Sequence, residues 1–166
     1  MVPPPLDHAP APFDGDAMVH RYMRMALEEA QAAAARGEVP VGAVLVDAAG
    51  DKVLARCGNR VEELADPTAH AELLAIRAAA ATLRAPRLTG CDLWVTLEPC
   101  AMCAQAIAFA RLRRLYFAAY DPKGGGVEHG ARIFAQPTCH HRPEIIGGIE
   151  ETAAGTLLRR FFAERR

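Results

Sequence analysis

The sequence predicts a three-layer α/β/α domain built on a mixed five-stranded sheet with helices on both faces. Three observations carry this. Val41 to Asp47, rich in β-branched residues, and Lys52 to Arg56 flank the turn Ala48-Ala49-Gly50-Asp51, which reads as an antiparallel hairpin. Asp92 to Thr96, a helical stretch from Pro99 to about Arg111, and Arg114 to Ala119 form a strand-helix-strand succession, which implies parallel neighbours joined by a crossover. Met18, Tyr22, Met25, Ala26, Ala30 and Ala33 recur at helical spacing and mark a core-facing stripe.

In chain order, residues 1–13 are rich in proline and small residues, a composition that does not repay the entropy of ordering. They are expected to be a disordered tail ahead of a single domain over 14–166. Asp14 or Asp16 caps the first helix, which Gly37 stops. After the hairpin, a helix is expected from about Ala69 to Leu83, with Thr68 as its N-cap. Pro99 suits the first position of the next helix. Asp121 to Gly130, with four glycines, reads as a loop without a hydrophobic reason to stay put. Ile133 and Phe134 suggest a short helix, Glu144 to Ile146 a last strand, and Glu150 onward a terminal helix.

Composition limits the classes of function. With 51% hydrophobic and 23% charged residues in 166, the chain is globular. No apolar run approaches the ~18 residues a membrane span needs, and Met1-Val2-Pro3-Pro4-Pro5 lacks the regions of a signal peptide, so a cytoplasmic protein is expected. Five cysteines, an odd count, argue against a disulfide framework; Cys57, Cys91 and Cys139 read as reduced thiols. A net charge of -1 supplies no global attraction to nucleic acid. Any such contact rests on local clusters: Arg111, Arg113 and Arg114, or Arg159, Arg160, Arg165 and Arg166.

Chemistry concentrates in Thr68-Ala69-His70-Ala71-Glu72 and Thr96-Leu97-Glu98-Pro99-Cys100-Ala101-Met102-Cys103. His70, Cys100 and Cys103 are three of the four ligands that Zn²⁺ takes in a tetrahedron, which leaves one position open. Glu72, two residues past the histidine, is suited to moving protons beside that position. If each stretch opens a helix, two helix N-termini converge on the ion and favour thiolates. Glu98 is expected to cap N–H groups or to orient a ligand. A redox C-x-x-C leaves His70 and Glu72 unexplained. A structural zinc needs a fourth ligand, Cys57 or Cys91, and gives Glu72 no role.

The H-x-E and P-C-x-x-C pair is the signature of zinc deaminases. Together with Glu38-Val39-Pro40-Val41-Gly42-Ala43-Val44, Gly58-Asn59-Arg60, Asp66-Pro67-Thr68 and Asp121-Pro122-Lys123-Gly124-Gly125, it resembles the bacterial tRNA-specific adenosine deaminases from about Asp16 to Arg166. That resemblance implies a cytidine-deaminase-like fold, one Zn²⁺ per subunit, Glu72 as the catalytic group, and hydrolysis of the wobble adenosine of a tRNA anticodon stem-loop to inosine. It implies a homodimer, with no membrane or DNA partner. Asn59 falls where the family has an asparagine beside the bound nucleoside, and Asp121 where it meets the anticodon loop.

The Ala71 N–H and the Leu97 carbonyl flank the site, Val41 is a candidate pocket wall, and Phe162 or Phe161 is the aromatic free to stack on a base. Arg160 departs from the family, which commonly has an aspartate there, a change that bears on reading neighbouring bases. The alternatives are a free nucleobase or nucleoside deaminase and a non-catalytic zinc-stabilised RNA-binding module. His140-His141 lacks partners at ligand spacing and reads as loop residues.

Overall fold

Alternation along the strands decides how the layers assemble. In the computed structural model, which describes residues 15–49 and 51–166, the elements are helix α1 (Gly15–Ala35), strands β1 (Gly42–Asp47) and β2 (Lys52–Gly58), the short helix α2 (Val61–Leu64) and helix α3 (Ala71–Leu83). Strand β3 (Cys91–Leu97), helix α4 (Ala101–Phe109), strand β4 (Arg114–Ala119), a 3₁₀ turn (Ile133–Ala135), strand β5 (Glu144–Gly147) and helix α5 (Glu151–Ala163) follow. The sheet order is β2-β1-β3-β4-β5. β1 pairs antiparallel with β2 and β3, while β3, β4 and β5 run parallel, giving the mixed five-stranded sheet expected from the sequence.

Successive strand residues point to opposite faces, and each face closes its own core. Ala43, Leu45, Leu93, Val95, Leu115 and Phe117 face α3 and α4, meeting Ala71, Ala75, Ala79, Ala104 and Ile107. Val44, Val46, Trp94, Tyr116 and Ala118 face α1 and α5, meeting Tyr22, Met23, Ala26 and Ala154. The first face uses alanines, which let two helices lie close to the sheet. The second is filled by an aromatic stack, Trp94 on Tyr116 with centroids 4.5 Å apart and Tyr22 tilted against Trp94 at 4.8 Å.

The expected Asp14 cap and the 1–13 tail lie outside the described residues, as does Gly50 of the hairpin turn. Gly37 does end α1: its φ is +84°, its N–H donates to the Ala34 carbonyl, and the Glu38 N–H reaches the Ala33 carbonyl, both at 3.0 Å. Met25, expected in the core stripe, is only half-buried, and Met23 is fully buried in its place. Helix α2 is too short to show periodicity in sequence. Its first turn is capped from a distance by buried Glu38, which accepts the Glu62 and Glu63 N–H groups at 3.3 and 2.8 Å.

Candidate active site

Both helices of the alanine-rich face begin on a metal-ligand residue. His70 is the N-cap of α3 and Cys100 the N-cap of α4, each with extended backbone and neither side chain spent on a cap bond. This corrects the sequence expectation at both helix starts. Thr68 does not cap α3, because its N–H and its hydroxyl both donate to Asp66 Oδ1, at 2.8 and 2.7 Å. Pro99 is not the first helical residue but lies just before the cap. An N-cap side chain projects beyond the helix end, so two such residues can meet; one turn further in, an imidazole would lie along the helix flank.

They do meet. Cys100 Sγ and Cys103 Sγ each lie 3.6 Å from His70 Nδ1, and the three donor atoms fall within 4.8 Å of one another. Zn–S bonds of about 2.3 Å and a Zn–N bond of about 2.0–2.1 Å at tetrahedral angles put nitrogen and sulfur roughly 3.6 Å apart. The donor set therefore fits Zn²⁺ without rearrangement. Among the described residues this is the one group of three such side chains, so neither Cys57 nor Cys91 supplies a fourth ligand. Without a cation the sulfurs share a proton: the Cys103 thiol, followed by His70, holds Cys100 down at about 4, while the same bond pushes Cys103 up. A thiolate poised among protonated neighbours is a cation site.

Glu72 lies in the first turn of α3 and is 4% exposed. Burial pushes its carboxyl up to about 7, against the pull of the α3 backbone and His70. A second asparagine-centred arrangement supports that turn. Asn59, buried at the end of β2, donates its N–H to the Val41 carbonyl (3.0 Å) and accepts the Ala71 N–H on Oδ1 (3.2 Å). The Ala71 N–H is thus committed to Asn59. Val41 is buried beside them.

Glu98 is the residue whose role the sequence concealed. It is 2% exposed, and its carboxylate accepts the Asp121 N–H on Oε2 (2.9 Å) and the Val127, Glu128 and His129 N–H groups on Oε1 (3.3, 2.8 and 2.9 Å). His129 Nδ1 adds a bond of 2.8 Å. Burial alone raises such a group, but these donors outweigh it and hold Glu98 below the usual carboxylate range. Glu98 therefore caps a loop and not its own helix, and the expectation of an untethered Asp121–Gly130 segment is overturned. Gly126 completes the tie. Its N–H donates to the Pro99 carbonyl (2.8 Å), and a Cβ there would lie 2.5 Å from the Ala101 nitrogen, so the loop backbone rests directly on the start of α4.

The remaining candidates are dispersed. Leu97 ends β3, half-buried and in register with Ala119. Asp121 forms a turn, its Oδ1 accepting the Lys123 and Gly124 N–H groups at 3.1 and 3.0 Å. Phe161 is 6% exposed and Phe162 47%, so Phe162 is the outward ring, beside Lys123, Arg159 and Arg165. His141 bonds to the Leu112 carbonyl through Nε2 (2.6 Å) and the His140 carbonyl accepts from Arg111, which leaves both histidines as loop residues.

One histidine and two cysteines set for a single ion, with a buried carboxyl beside them on a mixed sheet between helices, define a zinc-dependent deaminase. The chain belongs to the cytidine and deoxycytidylate deaminase zinc-binding family, whose profile matches residues 17–119. It is 57% identical over 145 residues to a tRNA-specific adenosine deaminase of Agrobacterium fabrum, covering 87% of this chain and 94% of that one. A tRNA-specific adenosine deaminase of Aquifex aeolicus is 44% identical over 146 residues, covering 87% and 94%. Among solved structures, one from work on A-to-I editing by tRNA:A34 deaminases at the wobble position superposes with a TM-score of 0.81 at 56% identity, over 83% of this chain and 99% of that one. A guanine deaminase from Nitrosomonas europaea matches with a TM-score of 0.76 at 25% identity, over 87% and 84%.

Proposed function

We propose that this chain is a zinc-dependent hydrolase that converts adenosine to inosine at the wobble position of tRNA anticodons. The observation that carries the chemistry is the convergence of His70, Cys100 and Cys103 on one point with Glu72 buried beside it. The choice of RNA over a free base follows the relatives named for tRNA adenosine deamination, at up to 57% identity against 25% for the guanine deaminase.

His70, Cys100 and Cys103 hold the zinc, which supplies the Lewis acidity that makes water a nucleophile near neutral pH. Glu72 moves the protons. Burial keeps its carboxyl close to neutrality in proton affinity, so it can both accept and return one at the working pH. It takes a proton from the attacking water and delivers it to the ring nitrogen next to the amine-bearing carbon. The second transfer goes to the departing amine, so adenosine and water give inosine and ammonia. Asn59 holds the first turn of α3 in place through the Ala71 N–H and, with Val41 and Leu97, lines the nucleoside pocket in this reading. Asp121 and Phe162 meet the RNA outside it.

We read the active form as a cytoplasmic homodimer. Helix α4 is apolar all round, and Met102 and Phe109 stand 36% and 72% exposed on its outer face, which a second copy would cover. Five cysteines without a disulfide suit a reducing compartment, and among the described residues no helix is long and apolar enough to cross a membrane.

The test offers the zinc-loaded protein an adenosine-bearing anticodon stem-loop alongside free adenosine, guanine and cytosine. Inosine at the wobble position of the stem-loop is expected. Ammonia released from a free base alone would overturn the RNA reading in favour of nucleobase deamination.

A further inference from the structure

Two clefts flank Arg159 on the side of the molecule where β4 ends. One, of about 360 Å³, lies between Ala119 and Tyr120 at the end of β4 and Glu151, Thr152 and Gly155 on α5. The other, of about 740 Å³, is lined by Lys123, Phe162, Arg165 and Arg166. Leu158 and Arg159 line both, so the two form one continuous track along α5. A large exposed ring stands in each half, Tyr120 at 41% and Phe162 at 47%.

Tyr120 is not a loose surface ring. Phe117 meets it edge-on with centroids 5.0 Å apart, and His129 does so at 6.2 Å. His129 is itself pinned by Glu98. The ring is thereby fixed two residues along β4 and its loop from the carbonyl of Ala119, which accepts the Glu98 N–H (2.7 Å), and so at the mouth of the zinc site. Arg159 bonds only within its own helix, to Thr156 Oγ1 (3.3 Å), and among the described residues neither it nor Lys123 is paired with a carboxylate. Arg160, by contrast, turns to Glu164 (3.1 Å). Glu151 is the one carboxylate on the track, at the Tyr120 end, which leaves Arg159 as the place for a phosphate.

Resting on the deaminase reading above, we propose that this track binds the single-stranded RNA next to the reacting adenosine, with one base stacked on Tyr120 and the adjoining phosphate held by Arg159. Fixed aromatic rings interleaved with unpaired cations are the general means of holding single strands, because every base has a π-face and every linkage a charge. Tyr120 then acts on binding and not on the chemical step.

The experiment measures kcat and KM on the anticodon stem-loop with the zinc-loaded full chain and its Tyr120→Leu, Tyr120→Phe and Arg159→Ala variants. Melting temperature and zinc content are followed in parallel. Tyr120→Leu should raise KM about tenfold at unchanged kcat, as loss of one stacked base does. Tyr120→Phe should keep the KM of the parent, since the ring and not the hydroxyl carries the contact. Arg159→Ala should raise KM and reduce the slope of log KM against log salt by about 0.7, the signature of one lost phosphate contact to a single strand. Equal loss in the Leu and Phe variants, a fall in kcat at constant KM, or an unchanged salt slope in Arg159→Ala would overturn the proposal. If the parent itself leaves the stem-loop adenosine intact, the deaminase reading fails first, and the track falls with it.

Discussion

Glu72 and Glu98 are the same residue, both almost fully buried, each at the start of a helix on the same face of the sheet, and they are held in opposite ways. The region around Glu98 surrounds its carboxylate with the N–H groups of four residues and the ring of a histidine, so its charge is neutralised by donors and its pKa falls. Burial dominates around Glu72, whose pKa climbs to about 7. What decides the behaviour of a buried carboxyl is the number of donors the fold delivers to it. Saturated, it becomes a structural bracket; left short of donors, it keeps a proton available.

The comparison breaks most readily at Glu72. Glu72→Ala should cut inosine formation by about 10³-fold or more, in line with loss of a general acid-base group, while metal analysis still finds one zinc per chain. Loss of zinc along with activity would make Glu72 structural and remove the contrast. Glu72→Gln should abolish turnover equally yet leave thermal stability within ~0.5 kcal/mol, because it removes a buried ionisable group that few donors satisfy.

Glu98→Ala should act in the reverse order, on the fold first. Several buried donors lose their acceptor at once, a cost of about 3 kcal/mol or more. The measurable signs are a melting temperature lower by roughly 6–12 °C and faster hydrogen exchange at the Asp121, Val127, Glu128 and His129 amides. Slow exchange at those amides in the variant would mean that packing, and not the carboxylate, holds the loop. Gly126→Ala separates those two contributions. Its Cβ meets the Ala101 backbone, and a destabilisation of about 1–3 kcal/mol is expected from overpacking, with the Glu98 bonds intact and thus a smaller rise in exchange at Asp121.

Tyr22, in the aromatic core beyond the sheet, supplies the reference. Burial, with its bond to Asp51, raises its pKa to about 12 from the usual 10. A raised folded-state pKa means that the folded protein holds the proton more tightly. Tyr22 therefore contributes stability in full below pH 10, and that contribution is lost as pH rises through about 12. Ultraviolet titration should show the same late tyrosine in the parent and in the Glu72 and Glu98 variants. A shift in either variant would show that disturbance crosses the sheet and that the two carboxylates do not act locally.

Much of this was legible beforehand, for definable reasons. The strand of Arg114 to Ala119, the Gly37 stop and the parallel crossover follow from local sequence periodicity and chain connectivity. The ligands follow from residue chemistry at short spacing. The N-caps were misplaced by two residues because Thr68 found a nearer partner in Asp66, and because His70 and Cys100 had to project beyond the helix ends to meet. Helix α2 escaped notice because its cap, Glu38, lies more than twenty residues earlier.

By itself, the sequence determined the layered α/β/α class, the three metal donors and the proton-moving glutamate, since each rests on residue type and on separations of two to four residues. The tertiary structure alone decided that Glu98 holds the Asp121–Gly130 loop, that Asn59 caps α3, and that Tyr120 and Phe162 stand along one track beside Arg159. Those depend on donors and acceptors, or on surfaces, brought together from ten to more than thirty residues apart. Chain folding sets such distances, and no local pattern records them.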